Sequence, residues 1–492
     1  MNSPLRSRLS LRSSSLFPLT IALATAITTA CGSSGTMSRP TSPALSGNTS
    51  VTILLSSTAN DQLSQYNVGF TSIALTSQSG KTVNLLTASP STPNFSEFIH
   101  VNGPAEPLLT VSVPQDVYTA ATATLDEYGG FACVSLLSSG GIQMSFFGRA
   151  QSATINLPAP ITITGTSMAL ALNLQVSQSA MFSSCDLTQA TFTNTPTFNL
   201  APVAVSSQPT SVANGKENSI DGLIASVSPT GNQFGLTTAD GTALSFNIDS
   251  TTVYHGVPGF SALAPGMAVD MDAAIQSDGS LLATRVEVDD ATVTSTSAVS
   301  GPLVQVADST PVFAVFGREQ QGYLFPNLIG GGPYFSFGNA IFQTSSQLTN
   351  SQNLPFSASF SSTNMVAGQN VFITSHATTM LGGPTYVPAA TVTLVPQTIN
   401  GTVTGVSTSG GFSTYTVTLA SYDLLPSLAV QPGQTTLLSN PENVVVYVDR
   451  NTQMLNATPL AAGSLLRFNG LLFNDNGTLR MDCAQINDGV PE

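Results

Sequence analysis

The feature that most constrains this chain is a two-residue period in its apolar side chains. Met168, Leu170, Leu172, Leu174 and Val176 alternate with Ala169, Ala171, Asn173 and Gln175. Only a β-strand sends successive side chains to opposite faces in this way. The same alternation recurs along most of the 492 residues, and no apolar stripe at helical spacing lasts four turns. With 40 Gly and 30 Pro there is little room for long helices in any case. The expectation is an all-β, multidomain chain, of roughly three or four domains by length.

Charge narrows the function classes. Lys and Arg number 12 against 26 Asp and Glu, for a net charge of -14, and the only lysines are Lys81 and Lys216. A nucleic-acid partner is not expected, because phosphates need clustered cations. Disorder is not expected either. Charged residues are only 8% and apolar residues 41%, whereas disordered chains combine high charge with low hydrophobicity.

The start of the chain reads as an address. Arg6, Arg8 and Arg12 precede an apolar run over 16–27, the basic and apolar parts of a secretory signal. Thr28-Thr29-Ala30-Cys31-Gly32 then resembles the lipobox of bacterial lipoproteins, with Thr28 where that family usually has Leu. The resemblance implies a signal peptide over 1–30 and lipidation, palmitate included, at Cys31. A Gly/Ser/Pro tether over 31–48 would follow, in a cell-envelope protein held to a membrane by its acyl chains. Outer membrane or cell surface is favoured over inner membrane. An ordinary cleaved signal, with Cys31 a bystander, is the alternative.

Cys133, Cys185 and Cys483 remain. An exported chain meets oxidising conditions. A Cys133–Cys185 disulfide is favoured over two buried thiols, and would contribute about 4 kcal/mol by closing a loop of about 50 residues. Cys483 alternates with Met481 in a strand-like stretch and reads as a buried, inert thiol. No C-x-x-C spacing suggests a metal site.

Residues 49–200 read as one antiparallel β-sandwich, with a short helix entertained near 61–66. Its opening strand, the run Tyr66-Asn67-Val68-Gly69-Phe70-Thr71-Ser72-Ile73-Ala74-Leu75, and the Gly80 turn before Val83-Asn84-Leu85-Leu86 resemble the lipoprotein domain of unknown function 4382. That family implies an exported sandwich with no established activity, and it brings no catalytic residues. A linker over 201–218 follows. Then a motif recurs three times: Ile220-Asp221-Gly222, Val299-Ser300-Gly301 and Ile399-Asn400-Gly401, each leading into an alternating strand. Each motif has a second glycine downstream, at Gly266, Gly368 and Gly463. Two repeats close with a hairpin signal, Asp278-Gly279 and Asn476-Gly477, suited to the positive φ of a tight turn. Residues 219–290 resemble the domain of unknown function 5666, which implies a small OB-like β-barrel. The fold expectation is an N-terminal antiparallel β-sandwich followed by three such barrels, at 219–290, 298–396 (with an insert) and 397–492. The repeated glycines would bend strands into closed barrels.

Chemistry is sparse. Asp270 and Asp272 share a strand face near Asp278, but no calcium-loop motif surrounds them, and a solvated face is favoured over a cation site. Asp278 is explained by its turn. His100, His255 and His376 fall in three different modules, and no nucleophile, P-loop or metalloprotease motif occurs. No catalytic residue, metal or cofactor is expected. The second repeat's insert carries Tyr323, Phe325, Tyr334, Phe335 and Phe337, with Phe342 beyond. These aromatics form a candidate ligand-contact loop for a glycan or protein partner, or else cover the barrel end. The leading functional expectation is a non-enzymatic, lipid-anchored envelope protein that displays β modules for structural or partner contacts. A carbohydrate- or small-ligand-binding module is the alternative, and an enzyme with an inter-domain site the remote one.

Overall fold

The structure, a computed structural model, describes residues 45–58, 63–87, 95–99, 105–136, 142–148, 152–183, 191–207, 217–238, 242–288, 297–306, 312–316, 319–321, 334–344, 354–375, 386–421, 423, 425–430, 438–450, 452–455 and 460–488. Among the described residues the elements are strands almost throughout, and the two α-helices, Val176–Ser179 and Leu425–Ala429, are single turns. Among the described residues no helix is long and apolar enough to cross a membrane. Residues 45–492 cluster as one compact unit.

The sandwich joins two sheets. One runs in the order Glu106–Pro114, Asn48–Ser57, Ser167–Leu174, Thr197–Pro202 and Thr154–Asn156. The other is built on two long strands, Leu63–Ser77 and Asp116–Leu136, so residues 63–66 are extended and not helical. Val51, Ile53, Phe70, Leu170, Leu172 and Phe198 meet in the core between the sheets. The expectation of a purely antiparallel arrangement is corrected here. Asn48–Ser57 lies parallel to Ser167–Leu174, from Ser50 opposite Ser167 to Ser57 opposite Leu174. The cause is burial on both faces, the usual setting of parallel strands. Residues 51–57 are buried without a break. Leu54 and Ala169 point away from the sandwich core and join the core of the first barrel.

Each of the three repeats forms the same ring. In barrel one the order is Glu217–Ser228, Gln233–Thr238, Ala243–Asn247, Leu281–Val288, Ala268–Ile275 and back to the first, closed by the parallel pairing Phe246 to Leu281. Barrel three repeats it with Gln397–Ser409, Phe412–Leu419, Asn443–Val448, Thr478–Asp488 and Leu465–Asp475, closed by Val446 to Met481. Barrel two uses Ser297–Val306, Val312–Val315, Tyr334–Ser336 and Asn370–Ser375. Its last strand is split into Val387–Pro388 and Thr391–Leu394. This is the strand order of an OB-like barrel. A short extra strand lies parallel to the last one in every case: Val253–His255, Ile341–Thr344 and Gln453–Leu455.

The recurrent glycines have a common task. Gly266, Gly368 and Gly463 sit at φ of 90°, 98° and 90°, a conformation other residues resist. Each donates its N–H to the residue two beyond the first glycine: to Ile224 (2.8 Å), Leu303 (2.7 Å) and Val403 (2.8 Å). Those three residues donate back to Met267, Gln369 and Ser464. The opening strand carries a bulge just after this latch in all three barrels. At the first glycine, a Cβ on Gly222 would lie 2.4 Å from the Thr237 carbonyl, and one on Gly401 2.5 Å from that of Thr418. Sequence repetition here is the repetition of a strand-bending device.

The modules share surfaces. Val205–Ser207, inside the stretch expected as a linker, is a strand paired with Gln453–Leu455 of barrel three. Leu455 itself enters the core of barrel one, and Leu471 and Phe473 of barrel three enter that of barrel two.

Candidate functional site

The acidic pair expected in barrel one is an ion network. Asp270 and Asp272 stand on Ala268–Ile275, opposite Glu287 and Arg285 on the neighbouring strand. Arg285 Nε donates to Asp272 Oδ2 at 2.8 Å, Nη2 lies 3.3 Å from Asp270 Oδ2, and Nη1 bonds Glu287. Exposure grades across the cluster, from 1% at Asp272 to 31% at Asp270 and 50% at Glu287. Burial raises the Asp270 carboxyl, Arg285 opposes the rise, and Asp272 adds to it. Burial lowers Arg285, but the hydrogen bond and charge of Asp272 outweigh it, and its net shift is upward. One guanidinium thus serves three carboxylates. Among the described residues no group of three or more His, Cys, Asp or Glu is arranged to hold a metal ion.

Strand register gives this cluster a counterpart in barrel three. Asp270, Asp272, Arg285 and Glu287 fall at the positions of Arg467, Asn469, Gln485 and Asn487. No carboxylate remains there. Arg467 Nε donates to Asn400 Oδ1 (3.1 Å), and its Nη1 to the Ser57 carbonyl of the sandwich (2.6 Å). Gln485 donates to Gln453, and Gln453 to the Ile275 carbonyl of barrel one (2.6 Å). In barrel two the corresponding pair is Thr374 and Thr391, whose hydroxyls lie 2.6 Å apart.

OB-like barrels take ligands on strands two and three, with the loops beside them. In barrel one that face rests on the sandwich. Ser245 N donates to Thr110 Oγ1 at 3.4 Å, and the hairpin places Asp278 Oδ2 2.7 Å from the donating Ser167 hydroxyl. Burial raises the Asp278 carboxyl, but bonds from Ser167 and Ser280 outweigh it and bring it below the usual range. Gly279 (φ 81°) is pressed so close that a Cβ would lie 2.1 Å from Ala169 N. In barrel three the equivalent face holds Phe412 and Tyr447 and is covered by the barrel-two segment around Phe356. Those rings lie 4.8 Å apart between Phe356 and Tyr447, and 5.8 Å between Phe356 and Phe473.

The aromatic set expected to contact ligand divides. Tyr323 and Phe325 lie outside the described residues. Tyr334 begins the strand Tyr334–Ser336. Phe335 is a correction: it is 1% exposed and stacks on Phe313 at 5.6 Å inside barrel two. Phe337 is half-buried and packs on Phe313 (5.1 Å) and Phe342 (5.8 Å). Both are barrel core or lid, because alternation in a short strand sends one ring inward where composition suggested a loop. Cys31, Cys185, His100 and His376 lie outside the described residues, as does the Cys133–Cys185 pairing. His255 is exposed on its short strand. Cys483 is fully buried, and burial together with Asp482 raises its thiol well above the ordinary range, which suits an inert role.

Two buried acids escaped sequence reading. Asp482 is pushed up to about 7 by burial and by Asp449. Asp423 is pushed up to about 6 by burial, against hydrogen bonds from the Leu425 and Asn400 amides. The signal for Asp482 was an acid between Met481 and Cys483 in a strand with apolar neighbours on both sides, buried on the face turned away from the barrel-three core.

Comparison with known proteins agrees with barrel one. Residues 221–287 match the family described as Domain of unknown function (DUF5666). No curated protein matches the chain. A solved structure titled "drosophila Unr CSD456" is 11% identical and is covered in full, over 59% of this chain, with a TM-score of 0.12. That score carries no argument about fold or function.

Proposed function

We propose that this chain is a non-enzymatic, lipid-anchored protein of the cell envelope whose β modules form a stand for structural or partner contacts. The observation that carries the reading is how the barrels use their ligand faces. Barrel one turns its third strand and the hairpin beside that face toward the sandwich, through Ser245, Asp278 and Gly279. Barrel three turns the same face toward the barrel-two segment around Phe356, through Tyr447. Barrels used in this way act as joints between modules. The lipobox-like Thr28-Thr29-Ala30-Cys31 supplies the anchor in this reading, and the 4382-like sandwich is in keeping with an exported module. Fractionation tests it. Cys31→Ser should move the protein from the membrane pellet to the soluble fraction, and unchanged retention in the pellet would rule the anchor out.

A further inference from the structure

The last hairpin of barrel three carries a chemically reactive dipeptide. Three Asn-Gly pairs lie among the described residues, at 400–401, 469–470 and 476–477. In such a pair the glycine amide nitrogen can attack the asparagine side-chain carbonyl carbon, because no Cβ shields the approach. Asn400 and Asn469 stand inside strands, 1% and 7% exposed. Asn476 is the one open to water, at the turn between Leu465–Asp475 and Thr478–Asp488. Hydrogen bonds hold both residues of that pair. Gly477 N donates to the buried Asn474 Oδ1 at 2.8 Å. The Gly477 carbonyl accepts from Ser439 N and from Ser439 Oγ, each at 2.9 Å. Asn476 Nδ2 donates to Asp475 Oδ1 at 3.1 Å. Asp475 Oδ2 accepts from Arg480 Nε at 2.8 Å, and Arg480 also bonds the Tyr447 hydroxyl.

We propose that Asn476 is a latent site of self-modification, by deamidation of its side chain, and that Asn474 restrains it. The Gly477 nitrogen gives up its proton to a solvent base and bonds to Asn476 Cγ. The bond from Cγ to Nδ2 breaks, and ammonia leaves. Water then opens the cyclic imide at either carbonyl, which puts aspartate or its β-linked isomer at 476. Two features of the fold oppose the first step. The proton that must leave is held between Gly477 N and the Asn474 oxygen. Gly477, which must swing toward Cγ, is pinned at its carbonyl to Ser439. The product undoes the hairpin. It replaces the Nδ2 donor by a carboxylate beside Asp475, the partner of Arg480. The β-linked isomer also adds a backbone atom to a turn that sets Asp475 opposite Thr478 and Phe473 opposite Arg480.

The test incubates the purified protein in mildly alkaline buffer and digests it with trypsin. Mass spectrometry then scores amide loss in the 468–480 peptide, which carries both Asn469-Gly470 and Asn476-Gly477, so the buried pair is an internal control. In urea the unfolded chain, freed of several such bonds at once, should convert Asn476 at least about tenfold faster than the folded protein. Asn474→Ala should speed conversion in the folded protein about three- to tenfold, the worth of one hydrogen bond, with Asn469 unchanged. Acceleration at both sites marks a variant that has not folded. The exposed Ser439→Ala is then read in its place, with at least about twofold acceleration confined to Asn476. Equal rates in folded and unfolded protein, or no acceleration at Asn476 in a folded variant, would overturn the proposal.

Discussion

Barrel one and barrel three carry the same pair of antiparallel strands with a bulge at the same place, yet their side chains follow opposite rules. In barrel one, Asp270, Asp272 and Glu287 surround Arg285 at the edge of solvent. In barrel three, Arg467, Asn469 and Gln485 are each less than 10% exposed, and Arg467 reaches a carbonyl of the sandwich. The difference follows from what covers each face. Taking an ion network out of water costs several kcal/mol per charge, and mutual attraction repays it only with near-ideal geometry. A face that becomes an internal joint is better served by amides and a single arginine, whose Nε and Nη1 here donate to the neutral oxygens of Asn400 and Ser57. One scaffold thus serves as a wet surface in one copy and as a dry seam in the other.

The sharpest way to break this comparison is to remove each arginine. Arg285→Met removes the 2.8 Å bond to Asp272, a carboxylate 1% exposed, and should cost about 3–5 kcal/mol. Arg467→Met removes the bonds to Asn400 Oδ1 and the Ser57 carbonyl and should cost about 1–3 kcal/mol. Calorimetry of both variants would refute the account if Arg467→Met were the costlier. A second difference concerns Asp482, whose register counterpart in barrel one is Leu282. Its folded pKa, about 7, lies above the unfolded value, so the fold binds the proton more tightly. Stability from this group is therefore full below about pH 4 and is lost as pH rises toward 7. Asp482→Asn should raise Tm at pH 8, with a ceiling of about 4 kcal/mol, and should leave it unchanged at pH 3.5. A Tm equal to that of the unaltered protein at pH 8 would contradict the burial argument. The smallest effect tests what the two barrels share. Gly266 and Gly463 have open space where a Cβ would go, so an alanine at either meets only the left-handed backbone penalty of about 1–2 kcal/mol. Hydrogen exchange at the latch amides should report the same loss in both barrels; a loss in one alone would mean the latch is not a common device.

Much of the fold could be read from residues alone. Alternation at Met168–Val176 places Leu170, Leu172 and Leu174 in the core, where they are found. The paired glycines of each repeat become the latch. Asp278-Gly279 and Asn476-Gly477 turn as their types require, with Asn476 at φ 51° and Gly477 at 89°. What escaped was set by tertiary contact. The parallel central pair of the sandwich depends on barrel one covering Leu54 and Ala169. The kinship of Asp270 with Arg467 was there to be read, since each lies four residues beyond the second glycine of its repeat, but what covers each face was not. The candidate site was the least legible part. Phe335, in a Gly/Pro-rich stretch, belongs to a strand, while Phe356, in a Ser-rich stretch with no periodic neighbours, covers a face of barrel three.

The pairing of Val205–Ser207 with Gln453–Leu455 has a consequence for biogenesis. A chain emerging from its amino end brings out the first of these strands about 250 residues before the second. The sandwich can therefore assemble early, but the strand at 205–207 waits for its partner, and barrel one for Leu455 in its core, until the carboxy-terminal portion arrives. Prematurely terminated products would display that raw edge, a ready flag for proteases and chaperones.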